Sequence, residues 1–153
     1  MIPSDPSPTV PTHAAALARL PHGPSFRFVD RIVELTPGIS GRATYRLRGD
    51  EAFLAGHFPG QPILPGVIMI EAVAQLAGVV AQSDPDIPPL GDVRLAAVKG
   101  ARIGGTAVPG QTLDISAEIA GRLGPLIQAS GSVTVDGMTI LTTQITLSGM
   151  AAG

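Results

Sequence analysis

No cysteine occurs in the chain, which excludes a disulfide framework, a thiolate nucleophile and a Cys-ligated metal. The absence says nothing about redox compartment. Aromatic residues make up only 3% of the 153 residues, so the core must be built from Val, Ile, Leu and Ala. Few rings remain on which nucleic-acid bases could stack, and a net charge of −2 gives no overall basic footprint. Only a local basic patch could meet a polyanionic partner. Charged residues are scarce at 14%, against 44% hydrophobic, which excludes disorder over most of the chain. The same imbalance predicts a surface partly covered by a sister subunit. The start, Met1-Ile2-Pro3-Ser4-Asp5-Pro6-Ser7-Pro8, has neither basic residues nor an apolar run and does not read as a signal peptide. The most apolar stretch, Val67 to Ala81, is shorter than the ~17–25 residues of a membrane span and contains Glu71 and Gln75. A soluble, cytoplasmic protein is expected.

The length suits one domain with a real core. Residues 1–11 hold four prolines and read as a flexible leader, leaving 12–153 as the domain. Thr12 is placed to cap a short helix through Leu20, stopped by Pro21. Phe26 to Leu35 reads as a strand, Pro37-Gly38 as a turn, and Ile39 to Leu47 as the returning strand. Gly49-Asp50-Glu51 opens a short irregular or helical piece. Further strands are expected over Val93 to Ile103, around Leu113 to Ile119, over Ile127 to Val135 and over Leu141 to Leu147. Asp136-Gly137 is a two-residue hairpin signal between the last two. One long helix with five or six antiparallel strands predicts an α+β sheet wrapped around that helix.

The helix, from about Val67 to Gln82, is apolar on every side except at Glu71 and Gln75, so it should be buried. Those two residues lie four apart on one face. A lone carboxylate there is either a structural Glu tied to Gln75 and backbone, or part of a functional site. Pro65-Gly66 opens the helix, where the first N–H groups lack internal partners and favour negative charge. Without a side chain, Gly66 would let a ligand oxygen approach its N–H; an ordinary helix start is the plainer reading. His57 precedes the helix in Gly56-His57-Phe58-Pro59-Gly60-Gln61-Pro62-Ile63-Leu64-Pro65-Gly66, a segment whose three prolines and three glycines rule out regular structure. Its backbone should be held in one shape by the Phe58-Pro59-Gly60 bend, and histidine suits proton transfer near neutral pH. His22 reads as structural, because nothing places it near His57, and His13 as exposed beside the Thr12 cap.

That segment, with Val67 and Glu71-Ala72-Val73-Ala74-Gln75 after it, resembles the signature of the FabZ-type 3-hydroxyacyl-acyl-carrier-protein dehydratases, which have the hot-dog fold. Leu20-Pro21-His22, Phe28-Val29-Asp30-Arg31, Val108-Pro109-Gly110 and Val135-Asp136-Gly137 extend the likeness to roughly residues 14–147. The resemblance implies that His57 and Glu71 are the catalytic pair, with Gly66 N–H polarising the thioester carbonyl and Gln75 and Phe58 in support. Glu rather than Asp at position 71 favours the FabZ branch over the FabA branch. The implied reaction turns a (3R)-3-hydroxyacyl thioester on an acyl-carrier protein or coenzyme A into a trans-2-enoyl thioester, in fatty-acid or related acyl-chain synthesis. No metal and no other cofactor is implied. The family builds its active site at a homodimer interface, His from one subunit and Glu from the other, and also forms larger assemblies of dimers.

Two stretches depart from the pattern. Gly23-Pro24-Ser25-Phe26 with Arg27 stands where the family has a basic residue, an aromatic and Pro-Phe. Lys99-Gly100-Ala101-Arg102-Ile103-Gly104-Gly105-Thr106 lacks the family's further basic residues. Carrier proteins are acidic and dock on positive groups. Arg19, Arg27, Lys99 and Arg102 are the candidates. Two other readings stay open: a hot-dog thioester hydrolase, and a non-catalytic acyl-binding protein, which would not need His57, Gly66, Glu71 and Gln75 all to be present.

Overall fold

A helix with no polar face can be satisfied only from outside, and the chain surrounds it. The computed structural model describes residues 12–151; the leader expected over 1–11 lies outside the described residues. The central helix, α2, spans Gly66–Gln82, with Pro65 as its N-cap. Met69, Ala72, Val73, Leu76, Ala77 and Val80 are all buried, as the apolar pattern predicts. A shorter helix, α1 (His13–Ala18), is capped by the Thr12 hydroxyl, which accepts from Ala15 N–H at 3.1 Å, with His13 exposed beside it. It stops two residues short of Leu20.

The strands are β1 (Arg31–Thr36), β2 (Ser40–Arg46), β3 (Gly91–Ile103), β4 (Thr112–Leu123), β5 (Leu126–Val135) and β6 (Met138–Met150). They form one antiparallel sheet in the order β1-β2-β4-β5-β6-β3. The β5–β6 hairpin turns at Asp136-Gly137, both with positive φ (50° and 78°), the conformation of the tight hairpin that the dipeptide signals. The inner face carries Leu113, Ile115, Ile127, Val133, Leu141 and Ile145, all buried against α2. Helix and sheet approach closely at Gly131, where a Cβ would overlap the Val73 side chain and the Ser116 carbonyl. This is the expected hot-dog arrangement, an α+β sheet curled around one helix.

The first strand differs from expectation. Phe26 belongs to a 3-10 turn (Pro24–Phe26), and laddered pairing starts only at Arg31. In the intervening backbone Asp30 N–H already donates to the Thr44 carbonyl of β2 at 2.8 Å, but Phe26 and Phe28 bond to a side chain. Phe28 N–H donates to Gln75 Oε1 at 2.8 Å, and Gln75 Nε2 donates to the Phe26 carbonyl at 2.9 Å. Strand β3 is unusual in another way. It pairs only with β6, and every residue along it is exposed except the half-buried Val93. Leu95, Val98 and Ile103 show 37%, 45% and 51% of their surface, too much apolar area for an edge strand left in water. No described helix is long and apolar enough to cross a membrane.

Candidate active site

The polar guests of α2 are the natural place to begin. Gln75 is 2% exposed and has both ends of its amide engaged. Besides the two backbone bonds to Phe26 and Phe28, its Nε2 donates to Glu71 Oε1 at 3.1 Å. A buried amide satisfied this fully is worth keeping, because each bond lost would leave a buried group unpaired. The expected i, i+4 pairing of Glu71 and Gln75 is therefore present.

Glu71 has a second neighbour that the sequence did not announce. His22 Nε2 lies 3.3 Å from Glu71 Oε1, with 28% of the His22 side chain and 20% of the Glu71 side chain exposed. His22, read as structural because nothing placed it near His57, stands beside the acid. A usable signal was the Leu20-Pro21-His22 match to the family pattern, but only the contact gives the residue a place.

Glu71, His22 and Gln75 border a cavity of about 470 Å³ that runs along α2 past Gly78 to Gln82. Its other wall is Val93 to Leu95 of β3. The far end is closed by Gln82, whose Nε2 donates to Leu90 O at 2.6 Å and whose Oε1 accepts from Leu90 N–H at 3.1 Å. Arg19, at the C-cap of α1, lines the same space.

His57 sits elsewhere. Its ring Nδ1 is 3.1 Å from the Ile63 carbonyl. A carbonyl can only accept, so Nδ1 carries a hydrogen, and in the neutral ring the lone pair is then on Nε2. The ring stacks on Phe58, with centroids 4.5 Å apart and planes at 24°. Backbone bonds His57 N–H to Leu54 O (3.1 Å) and Ile63 N–H to His57 O (3.0 Å) hold the loop, as its proline and glycine content predicts. Upstream, the loop hangs from a buried carboxylate. Glu51 accepts from the Tyr45 hydroxyl (2.9 Å) and from the Arg48 and Gly49 N–H groups (2.8 Å each). Burial works to raise the Glu51 carboxyl, but these donors outweigh it and hold it below the ordinary carboxylate range. Burial, then the bond to Glu51, pushes the Tyr45 phenol up.

Gly66 is the first residue of α2, and its N–H has no backbone acceptor among the described residues. A Cβ at Gly66 would lie 2.5 Å from Ile103 Cδ1, so glycine also lets the end of β3 close over the helix start. Gly66 and Glu71 are five residues apart, about 140° around the helix. The lining of the Glu71 cavity includes neither Gly66 nor His57. Within one chain, therefore, neither His57 nor Gly66 lines the cavity that Glu71 and Gln75 border.

The candidate docking cations are scattered. Arg27 turns its guanidinium onto backbone, Nη2 donating to Leu20 O (3.2 Å) and His22 O (3.1 Å). Lys99 and Arg102 are exposed on β3 and border a groove on the sheet's outer face, away from Glu71.

Known proteins resemble the chain in sequence and in fold. The chain is 36% identical over 126 residues to the 3-hydroxyacyl-acyl-carrier-protein dehydratase FabZ of Anaeromyxobacter sp. (strain Fw109-5), covering 79% of this chain and 78% of that protein. It is 36% identical over 122 residues to the FabZ of Myxococcus xanthus (strain DK1622), covering 79% and 80%. Among solved structures, the dehydratase heterocomplex ApeI:P from Xenorhabdus doucetiae superposes with a TM-score of 0.73 at 17% identity, covering 87% of this chain and 90% of that one. A hypothetical thioesterase with coenzyme A from Streptococcus pneumoniae TIGR4 gives 0.59 at 12% identity, covering 79% and 87%; at these identities both show the fold alone. A protein-family model described as a FabA-like domain matches residues 20–144, which takes in His22, His57, Gly66, Glu71 and Gln75, and the chain belongs to that family.

Proposed function

We propose that this protein removes water from (3R)-3-hydroxyacyl thioesters, carried on an acyl-carrier protein or coenzyme A, giving trans-2-enoyl thioesters in cytoplasmic fatty-acid or related acyl-chain synthesis. The observation that carries the reading is the Nδ1 contact of His57 to Ile63, which leaves Nε2 for the substrate, together with a carboxylate anchored at a mainly apolar cavity. His57 Nε2 takes the C2 proton. The electrons move onto the thioester carbonyl oxygen, which faces the Gly66 N–H at the positive end of α2. As they return, the C2–C3 double bond forms and the C3–O bond breaks. Glu71 protonates the departing hydroxyl, which leaves as water. Phe58 backs the His57 ring.

The two groups act together when a second copy pairs along β3. Such pairing covers Leu95, Val98 and Ile103 and sets His57 and Gly66 of one subunit against Glu71 of the other. Each dimer then has two shared sites.

The test follows hydration of a short trans-2-enoyl thioester on both carriers by loss of enoyl absorbance, with free thiol monitored. Wild type consumes the enoyl signal, and His57→Ala and Glu71→Gln do not. Mixing the two inactive variants after subunit exchange restores about a quarter of wild-type sites, because half the dimers are mixed and each carries one intact site. Thiol release would make the protein a hydrolase. No change on either carrier would favour an acyl-binding protein.

A further inference from the structure

Glu71 has two oxygens, and both protein contacts fall on the same one. Gln75 Nε2 at 3.1 Å and His22 Nε2 at 3.3 Å converge on Oε1. Resting on the dehydratase reading, we propose that His22 is a positioning residue: its Nε2–H and the Gln75 amide together fix Oε1, so that Oε2 delivers the proton to the leaving hydroxyl.

The ring's other nitrogen supports this assignment. His22 Nδ1 is buried and has no hydrogen-bond partner among the described residues. In the Nδ1–H tautomer a donor would be buried with no acceptor. In the Nε2–H tautomer the donor meets Glu71, and Nδ1 is left as an unpaired acceptor, the cheaper fault. The ring's pose is set from outside the site. It stacks on Phe26 with centroids 6.2 Å apart and planes at 25°, and Arg27 holds the His22 carbonyl at 3.1 Å. The Phe26 carbonyl is in turn held by Gln75. Both donors to Oε1 are thus tied to the same 20–28 segment, and the carboxyl cannot rotate without breaking one of them. A carboxyl that rotated freely would present either oxygen, protonated or not, to the substrate.

A structural role alone would affect stability. A positioning role affects kcat at constant KM and depends on the donor. His22→Gln keeps a donor at the position of Nε2, and His22→Leu keeps bulk without it. With wild-type activity and the Glu71→Gln loss established first, His22→Leu is expected to lower kcat about 10–100-fold with KM little changed, the scale of losing the alignment of one reacting group. His22→Gln should recover most of that loss. Adding His22→Leu to Glu71→Gln should cost nothing more. Equal loss in the Leu and Gln variants, a change confined to KM, or wild-type kcat in His22→Leu would each overturn the proposal. Should the Leu variant not fold, 15N spectra of the wild-type ring decide: Nε2–H is expected, and Nδ1–H overturns it. An inactive wild type would instead overturn the dehydratase reading.

Discussion

The two banks of the site are built in opposite ways. The His57 bank is local: Leu54, His57, Phe58, Gln61 and Ile63 bond to one another within a few residues. The Glu71 bank is long-range: Gln75 reaches Phe26 and Phe28, and Glu71 meets His22, all across more than forty positions of chain. The first is shaped by backbone and turns, the second by side chains. Damage to the first should therefore cost activity, and damage to the second should cost activity and fold together.

The largest effect expected is His57→Ala, a loss of about 10²–10⁴-fold in kcat, the usual worth of a general base. Its melting temperature should stay near that of wild type, since the loop keeps its backbone bonds. Gln75→Leu is the counterpart on the other bank. It leaves Phe28 N–H and Phe26 O unpaired and should destabilise the protein by about 2–4 kcal/mol, read from urea unfolding, as well as lowering kcat. An unfolding midpoint unchanged in Gln75→Leu would erase the distinction between the banks.

Acid sharpens the comparison. Because the folded Glu51 carboxyl is held low, it contributes stability above the unfolded value near 4.5 that is lost as pH falls through the folded one. Glu51→Gln should lower stability at neutral pH by about 1–3 kcal/mol and flatten the acid limb of the unfolding curve. The raised Tyr45 phenol works the other way: its contribution is present below the unfolded value of 10.0 and lost as pH rises beyond it. The smallest effect expected is Gly66→Ala. The new Cβ meets Ile103 Cδ1, the tip of a half-exposed side chain, so a loss of about tenfold or less in kcat is expected, partly relieved by Ile103→Ala.

The contrast also explains what could be read from the chain alone. Helix α2, the Asp136-Gly137 hairpin and the punctuated His57 loop are set by neighbouring residues, so periodicity and turn chemistry reveal them. The catalytic candidates were legible through the motif that spans loop and helix. Phe26 to Phe28 looked like strand because it is apolar, but its hydrogen bonds go to a glutamine that no local pattern could place. His22 was read apart from the site for the same reason. Arg27 was named as a docking charge, and its Nη2 donates to the Leu20 and His22 carbonyls, partners no local pattern could place. The bare face of β3 was foreshadowed only by a composition poor in charge and rich in apolar residues.

The Gln75 amide also carries directional information. Phe28 offers a hydrogen and Phe26 a lone pair, so the segment's direction of travel dictates which end of the amide is oxygen. Nitrogen is thereby committed to the side where Glu71 waits. Reversing the amide would set oxygen against oxygen at the carboxylate and strand two backbone groups at once. The polarity of the groups around Glu71 is in this sense inherited from the orientation of the Phe26–Phe28 backbone. Neither Glu nor Leu at position 75 could transmit it, because the first has no donor and the second has no polarity.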